Sequence, residues 1–265
     1  MTAPRLARLV VAGDAEAVRT AVADSPGLLT RTVDRDGQGD WTPLHLAVAE
    51  GQEEIVRLLV DAGADLTART DFNRTPLHVA LQLRPEMVPL LRELGAQVDA
   101  PSAAYLGDVD ELTRCLDDGT DPGDRVGGAD LLSWAAFGGA SATAGLLLER
   151  GADPDTGALH FAAGVGRLAL VRLLLEAGAD VNRRDPRTGR TPLHAAIGAG
   201  PGGQAPEVVQ VLLAAGADVN ATTADGASAL DMSHVAAARH RRGDADQASG
   251  NDALAELLVA HGARD

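Results

Sequence analysis

The chain has 265 residues, a formal net charge of −15 and an aromatic content of only 2%. Such an acidic surface repels a phosphate backbone and an anionic membrane, so we expect charge-driven binding to neither nucleic acid nor membrane. No run of about twenty apolar residues and no recognisable secretory leader is visible, and the sequence therefore predicts a cytoplasmic protein.

One tetrapeptide recurs along the chain after a first helical segment at residues 4–30. Thr42-Pro43-Leu44-His45 returns at residues 75–78 and again at residues 191–194. Proline loses no hydrogen bond in the first turn of a helix, so each copy predicts the start of a helix. The apolar residues that follow at helical spacing predict a buried face on that helix.

A glycine turn and a second helix follow the tetrapeptide. Gly51 precedes an apolar run at residues 55–59, and the run ends at Gly63-Ala64-Asp65. The same order recurs at residues 166–180. Glycine adopts the left-handed conformation that ends many helices, so each Gly-Ala-Asp triplet predicts the end of a second helix.

These motifs, repeated in order and in register, resemble the ankyrin-repeat family. The resemblance implies an all-α, ankyrin-repeat solenoid of helix-turn-helix units that carry short β-hairpin fingers. It covers nearly the whole chain, so we predict a single domain over residues 1–265 with a cap at residues 4–30. The predicted repeats start near residues 42, 75, 98, 130, 157, 191 and 228.

Some repeats depart from the family pattern. The turn-forming segments at 34–41, 70–74 and 183–190 predict fingers, whereas the units that start near 98 and 157 are too short to hold one. Fingers are therefore predicted to be missing in the middle of the chain. Insertions at 201–206 and 239–252 enlarge the turns between the helices of the last two repeats.

All six aromatic residues lie in the predicted first helices and fingers, which the resemblance assigns to the concave face. Trp41 is expected at an exposed finger tip, and Trp134 and Phe161 are expected either to line the floor of a central apolar pocket or to belong to the core. The alternative to a pocket is a set of aromatic residues that pack on one another as a substitute core. The predicted binding residues are Trp41, Leu83, Tyr105, Leu106, Trp134, Phe137, Phe161 and Val165.

The sequence offers little for catalysis. The motif histidines occur one per repeat, too far apart to share a metal ion, and no phosphate loop or nucleophile motif is visible. No catalytic residue, cofactor or metal is predicted. A minority interpretation assigns general acid or base work to a rim carboxylate such as Asp99 or Asp130, whose pKa burial would raise.

The resemblance implies a non-catalytic protein-protein interaction module that uses its concave groove and finger tips. The expected partner is a protein with a basic or neutral surface around an apolar protrusion, because the chain itself is acidic. The alternative is a small-molecule binding protein, or an unusual enzyme, that uses the central aromatic pocket and its rim carboxylates.

Overall fold

The structure is a computed structural model that describes residues 1–200, 205–240 and 245–264. Residues 201–204 and 241–244, which belong to the two predicted insertions, lie outside the described residues. The described part contains sixteen α-helices: α1 (Ala3–Ala12), α2 (Ala15–Asp24), α3 (Pro43–Ala49), α4 (Glu53–Asp61), α5 (Pro76–Leu83), α6 (Val88–Glu93), α7 (Ala100–Leu106), α8 (Val109–Asp117), α9 (Leu131–Gly138), α10 (Ser141–Glu149), α11 (Ala158–Gly164), α12 (Leu168–Glu176), α13 (Pro192–Gly198), α14 (Ala205–Ala214), α15 (Ala229–His240) and α16 (Ala245–Ala260).

Only short strands and 3₁₀ helices accompany these helices in the described part. The strands are β1 (Val33–Arg35), β2 (Gln38–Trp41), β3 (Arg125–Val126) and β4 (Ala129–Asp130), and the 3₁₀ helices are Pro26–Thr30 and Pro85–Met87. The fold is therefore the predicted all-α, ankyrin-repeat solenoid of paired helices. Each first helix of a repeat begins within two residues of a predicted repeat start, as α3 does at Pro43 and α9 does at Leu131.

The chain divides into two compact units. The first contains Met1–Ser102 together with Arg125–Gly128, and the second contains Ala103–Asp124 together with Ala129–Asp265. Within each unit the buried residues are mainly Leu, Val and Ala, such as Leu59 and Leu77 in the first and Leu131 in the second. Burial of each such leucine contributes about 1.5–3 kcal/mol to stability.

The tetrapeptide motif caps the first helices. Thr42 Oγ1 accepts a hydrogen bond from the His45 backbone N–H at 3.4 Å, and His45 Nδ1 accepts one from the Thr42 backbone N–H at 3.3 Å. His45 Nε2 donates to the Arg74 carbonyl at 3.0 Å, which fastens α3 to the next repeat. Both ring nitrogens are engaged and the ring is buried, so this histidine has a structural role.

The first predicted finger is a β-hairpin. Strands β1 and β2 pair antiparallel, with Val33 opposite Trp41 and Arg35 opposite Gln38. Asp36 and Gly37 form its turn with φ values of 52° and 77°, which suits a two-residue turn between twisted strands. The other two predicted fingers are turns, and two backbone hydrogen bonds close each of them. The Thr70 N–H donates to the Arg74 carbonyl at 3.0 Å and the Asn73 N–H to the Thr70 carbonyl at 2.8 Å. The Asp185 N–H donates to the Arg190 carbonyl and the Gly189 N–H to the Asp185 carbonyl, both at 2.8 Å.

Three finger segments lie side by side in the first unit. The Gly39 backbone N–H donates to Asp71 Oδ2 at 2.8 Å, and the Gly127 backbone N–H donates to the Phe72 carbonyl at 2.8 Å. No strand is present before α7, as predicted for the unit that starts near residue 98. The turn at 125–128 takes the next place beside residues 70–74, so the missing finger does not leave an open gap there.

Candidate functional site

The second unit gathers four of the predicted binding residues into two ring contacts. Phe137 of α9 and Phe161 of α11 have ring centroids 4.0 Å apart with an interplanar angle of 37°. Tyr105 of α7 meets Trp134 of α9 edge to face at a centroid distance of 6.3 Å. Each such ring contact stabilises the fold by about 0.5–1.5 kcal/mol in addition to the effect of burying the two rings. The structure therefore brings these four predicted residues together as two pairs of rings.

A glycine allows α7 and α9 to approach so closely. A Cβ atom on Gly138 would lie 1.9 Å from the Tyr105 carbonyl oxygen, far inside van der Waals contact. Backbone atoms cannot move aside as a flexible side chain can. Only glycine at this position allows the end of α9 to pack against α7, and the packing places the Tyr105 backbone against Gly138, the residue after Phe137.

The side chains around these rings differ in exposure. Leu106 and Val165 are 36% and 45% exposed, while Tyr105, Phe137 and Phe161 are half-buried. We call these five residues the aromatic face. Trp134 is fully buried and is therefore a core residue, as one of the two expectations held.

Two predicted binding residues lie in the first unit. Leu83, the last residue of α5, is 48% exposed. The expectation that Trp41 is an exposed finger tip is wrong, because Trp41 is only 3% exposed. The tip of the hairpin is Asp36-Gly37, and Trp41 lies at the other end of β2, where its ring meets His45 edge to face at 6.0 Å.

A positive charge lies beside the aromatic face. Burial raises the pKa of the Tyr105 phenol, and the positive charge of Arg167 partly opposes that effect. Arg167 Nε lies 2.8 Å from the point that a Cβ atom on Gly139 would occupy, so its side chain runs against the end of α9. An exposed guanidinium thus lies beside the aromatic face.

Asp99 is a capping residue whose environment favours the ionised form. His78 Nε2 lies 2.8 Å from its Oδ1 atom, and Ser102 Oγ donates to the same oxygen at 2.8 Å. Burial opposes ionisation of Asp99, but the hydrogen bonds from His78 and Ser102 outweigh it, and the pKa lies below its ordinary value. The expectation of a raised pKa at this carboxylate is therefore wrong, and Asp99 is poorly suited to general acid work at neutral pH.

Two of the repeats that lack a motif histidine, those that start near residues 98 and 130, share a second capping arrangement. Asp99 with Ser102, and Asp130 with Ser133, replace the Thr and His of the tetrapeptide. The Asp130 carboxylate accepts from the Ser133 backbone N–H at 2.8 Å, so aspartate caps α9 as threonine caps α3. Both α7 and α9 therefore begin directly after an aspartate cap, although their repeats lack the Thr-Pro-Leu-His sequence.

Within the described ranges, no three His, Cys, Asp or Glu side chains are grouped so that they could hold a metal ion. The same residues include no helix long and apolar enough to cross a bilayer.

The sequence interpretation missed a cationic cluster in the first unit. The guanidinium carbons of Arg35 and Arg74 lie 5.1 and 5.6 Å from the centroid of the Trp41 ring. Both distances are within the range of a cation–π contact. The sequence did contain a signal for this cluster. Arg74 directly precedes the second tetrapeptide, and Arg35 lies on the predicted finger segment that ends at Trp41.

Comparison with known proteins places the chain in a family. A family model for ankyrin repeats in three copies matches residues 6–102 and 132–223, which is more than half of the chain. The chain belongs to the ankyrin-repeat family. Membership of this family supports a protein-protein interaction module and agrees with the paired helices and caps described above.

The ankyrin-repeat chain is similar to several curated proteins. The human B-cell lymphoma 3 protein is 35% identical over 172 residues, which cover 61% of this chain and 34% of that protein. The chicken nuclear factor NF-kappa-B p105 subunit is 30% identical over 247 residues, 88% of this chain and 21% of that protein. The rat protein fem-1 homolog A is 37% identical over 81 residues, 25% of this chain and 12% of that protein. The chain thus spans well under half the length of these relatives.

Proposed function

We propose that this ankyrin-repeat protein is a non-catalytic binding protein that recognises another protein through the aromatic face. The observation that carries the proposal is the exposure of Leu106, which follows the half-buried Tyr105, and of Val165, whose backbone N–H donates to the carbonyl of the half-buried Phe161 at 3.0 Å. Large apolar side chains beside one another at a surface mark interaction sites more often than scattered ones do. Aromatic residues are also enriched among those that contribute most to binding.

The aromatic face is rigid before a partner arrives. Phe137 and Phe161 are in contact with each other, and Tyr105 is held against Trp134. Their helices are packed so closely that Gly138 has no room for a side chain. A partner therefore loses little conformational entropy in ordering these rings, and each ring can contribute about 2 kcal/mol to affinity.

The chemistry of the surface defines the partner. An apolar protrusion of the partner would contact the rings, and a basic or neutral surrounding surface would suit a chain with a net charge of −15. Added salt is expected to slow association with a basic partner because it screens long-range attraction.

The test compares capture by three forms of the full chain. The wild type, the double variant Leu106→Ser with Val165→Ser, and the control Val259→Ser are immobilised and exposed to lysate of the source organism. Val259 is also exposed, at 55%, but lies on α16, away from the aromatic face. These substitutions change exposed positions, so all three forms are expected to show the same thermal unfolding.

We expect the wild type and the Val259→Ser control to retain the same protein and the double variant to lose it at least tenfold, as measured by quantitative mass spectrometry. Equal retention by all three forms would contradict recognition through the aromatic face. Retention of a small molecule by the wild type and not by the double variant would instead support the small-molecule alternative.

A further inference from the structure

The Trp41 cluster, which consists of Arg35, Trp41 and Arg74, places two positive charges around one indole ring. The guanidinium carbons lie 5.1 and 5.6 Å from the ring centroid. Trp41 is 3% exposed and Arg74 is 8% exposed, so the charge of Arg74 is largely out of solvent, whereas the Arg35 side chain is 27% exposed. A buried cation is costly unless it is paired with an anion.

Only one of the two arginines has such an anion. Arg35 lies 2.9 Å from Glu50 and 3.6 Å from Asp36. Arg74 donates instead to neutral amides, to Gln82 Oε1 at 3.0 Å and to Gln38 Oε1, and no described carboxylate lies within ion-pair distance of it. Burial lowers the pKa of Arg74, and the charge of Asp71 opposes this only in part.

The cluster also has more donors than acceptors. Trp41 Nε1, Arg35 Nη1 and Arg74 Nε are all buried, and none of these atoms has a hydrogen-bond partner among the described residues. Folded proteins leave few buried donors unpaired, because each costs about 1–3 kcal/mol. Three such atoms around one ring indicate that an acceptor is missing from this place.

A carboxylate supplies what the cluster lacks. It carries the negative charge that Arg74 is missing, and its two oxygens accept about four hydrogen bonds. Guanidinium and carboxylate groups also match in shape, and hydrogen bonds between them are stronger than neutral ones. A water molecule could occupy the same space but would leave the Arg74 charge unpaired.

A glycine turn covers the cluster. A Cβ atom on Gly127 would lie 3.0 Å from Arg74 Cδ, so the turn at 125–128 rests on the arginine side chain. Gly127 and Gly128 have φ values of 65° and 82°, a conformation that glycine adopts without strain. The backbone bond from Gly127 to the Phe72 carbonyl, 2.8 Å long, links the turn to the exposed Phe72.

We propose that the Trp41 cluster binds a carboxylate side chain, an aspartate or a glutamate of a protein partner, which enters beside the turn at 125–128. Arg74 pairs with the carboxylate, and the indole N–H of Trp41 donates to it. Phe72 gives the entering segment an exposed apolar contact. This inference rests on the proposed function only in assigning the carboxylate to a protein, because the cluster is separate from the aromatic face.

Nuclear magnetic resonance of the full ¹⁵N-labelled chain tests the proposal. The probe is N-acetyl-glutamate N-methylamide, and the matched neutral probe is N-acetyl-glutamine N-methylamide, both at constant ionic strength. The chain has two tryptophans, so a Trp134→Phe variant assigns the indole signal of Trp41. We expect a saturable downfield shift of the Trp41 indole proton and the Arg74 Nε proton with the glutamate probe only.

Two arginines provide a matched pair of variants. Arg74 precedes Thr75 as Arg190 precedes Thr191, but Arg190 is exposed. We expect Arg74→Gln to weaken binding of the glutamate probe at least tenfold and Arg190→Gln to leave it unchanged. If Arg74→Gln does not fold, Arg74→Lys, which keeps the charge and loses the forked donor geometry, is expected to weaken binding in the same direction.

The proposal is overturned if both probes shift the Trp41 signal equally, if the shift does not saturate, or if inorganic phosphate binds more tightly than the glutamate probe. A crystal structure in the presence of the glutamate probe that holds only ordered water at the Trp41 cluster would also overturn it. The Leu106→Ser and Val165→Ser double variant should keep the response, so failure here is distinguishable from failure of the aromatic face.

Discussion

Mild acid should destabilise the protein through His45. Burial lowers the pKa of His45 from 6.5 to about 4, although the hydrogen bond to the Arg74 carbonyl opposes the effect. The unfolded chain therefore takes up this proton below about pH 6.5, whereas the folded chain resists it until near pH 4. Stability is lost as the pH falls through this window, because the unfolded state binds more protons.

The expected loss is large for a single residue. A shift of one pKa unit corresponds to about 1.36 kcal/mol. Acidification from about pH 7.5 to about pH 5 should therefore lower the free energy of unfolding by about 2 kcal/mol through His45. His194, whose pKa burial also lowers, adds to the loss in the same direction. The carboxylates with lowered pKa values, such as Asp99, lose their contribution only in more acidic solution.

Urea unfolding followed by circular dichroism at the two pH values measures this effect. His45→Gln should be less stable than the wild type near neutral pH, because the ring's hydrogen bonds are lost, but its further loss on acidification should be about 2 kcal/mol smaller. His234→Gln, which changes an exposed histidine, is the control and should keep the wild-type dependence. Equal pH dependence of the wild type and His45→Gln would refute the reasoning.

Three further predictions concern the packing and the caps, and thermal or urea unfolding measures each. Gly138→Ala should lower the free energy of unfolding by about 3 kcal/mol, because the new Cβ atom would clash with the Tyr105 carbonyl oxygen. Its control is Gly145→Ala within α10, where no atom lies nearby, and this variant should raise the free energy of unfolding by about 0.5–1 kcal/mol. Equal effects of the two substitutions would contradict the close approach of α9 to α7. Trp134→Ala should cost about 3–5 kcal/mol because the residue is fully buried, and a loss below about 1 kcal/mol would contradict that burial. Thr75→Ala should cost about 1 kcal/mol through loss of the bond from the His78 N–H, and an unchanged midpoint would argue against the cap.

The sequence predicts the helices well because their signals are local. The motif threonine at position 75 and the aspartate at position 130 each cap the helix that begins at the next residue. The glycine turns and apolar runs that mark the second helices are equally local. Where Asp and Ser replace Thr and His, the spacing of the repeats still indicates the helix start.

The position of Trp41 could have been predicted and was not. The expectation that Trp41 is a finger tip rests on its place next to Asp40 in a turn-rich segment. Asp36-Gly37 is the stronger turn signal, because a two-residue hairpin turn requires positive φ at both central positions. A turn at Asp36-Gly37 places Trp41 at the end of the second strand, beside the helix that follows.

The sequence alone could not show that the turn at 125–128 lies beside residues 70–74, next to the repeat that lacks a finger. This placement depends on the backbone bond between Gly127 and Phe72, which are far apart along the chain. No local pattern shows that the turn at 125–128 belongs with the first unit while its neighbours along the chain belong with the second. The unpaired donors around Trp41 follow from that same long-range packing.

The most direct test of partner recognition is the affinity of the captured protein for Phe137→Ala, measured by isothermal titration calorimetry. Removing this ring from the aromatic face should weaken binding about thirtyfold, which corresponds to about 2 kcal/mol. The Val259→Ala control on α16 should bind as the wild type does. Equal affinity of Phe137→Ala and the wild type would contradict the account.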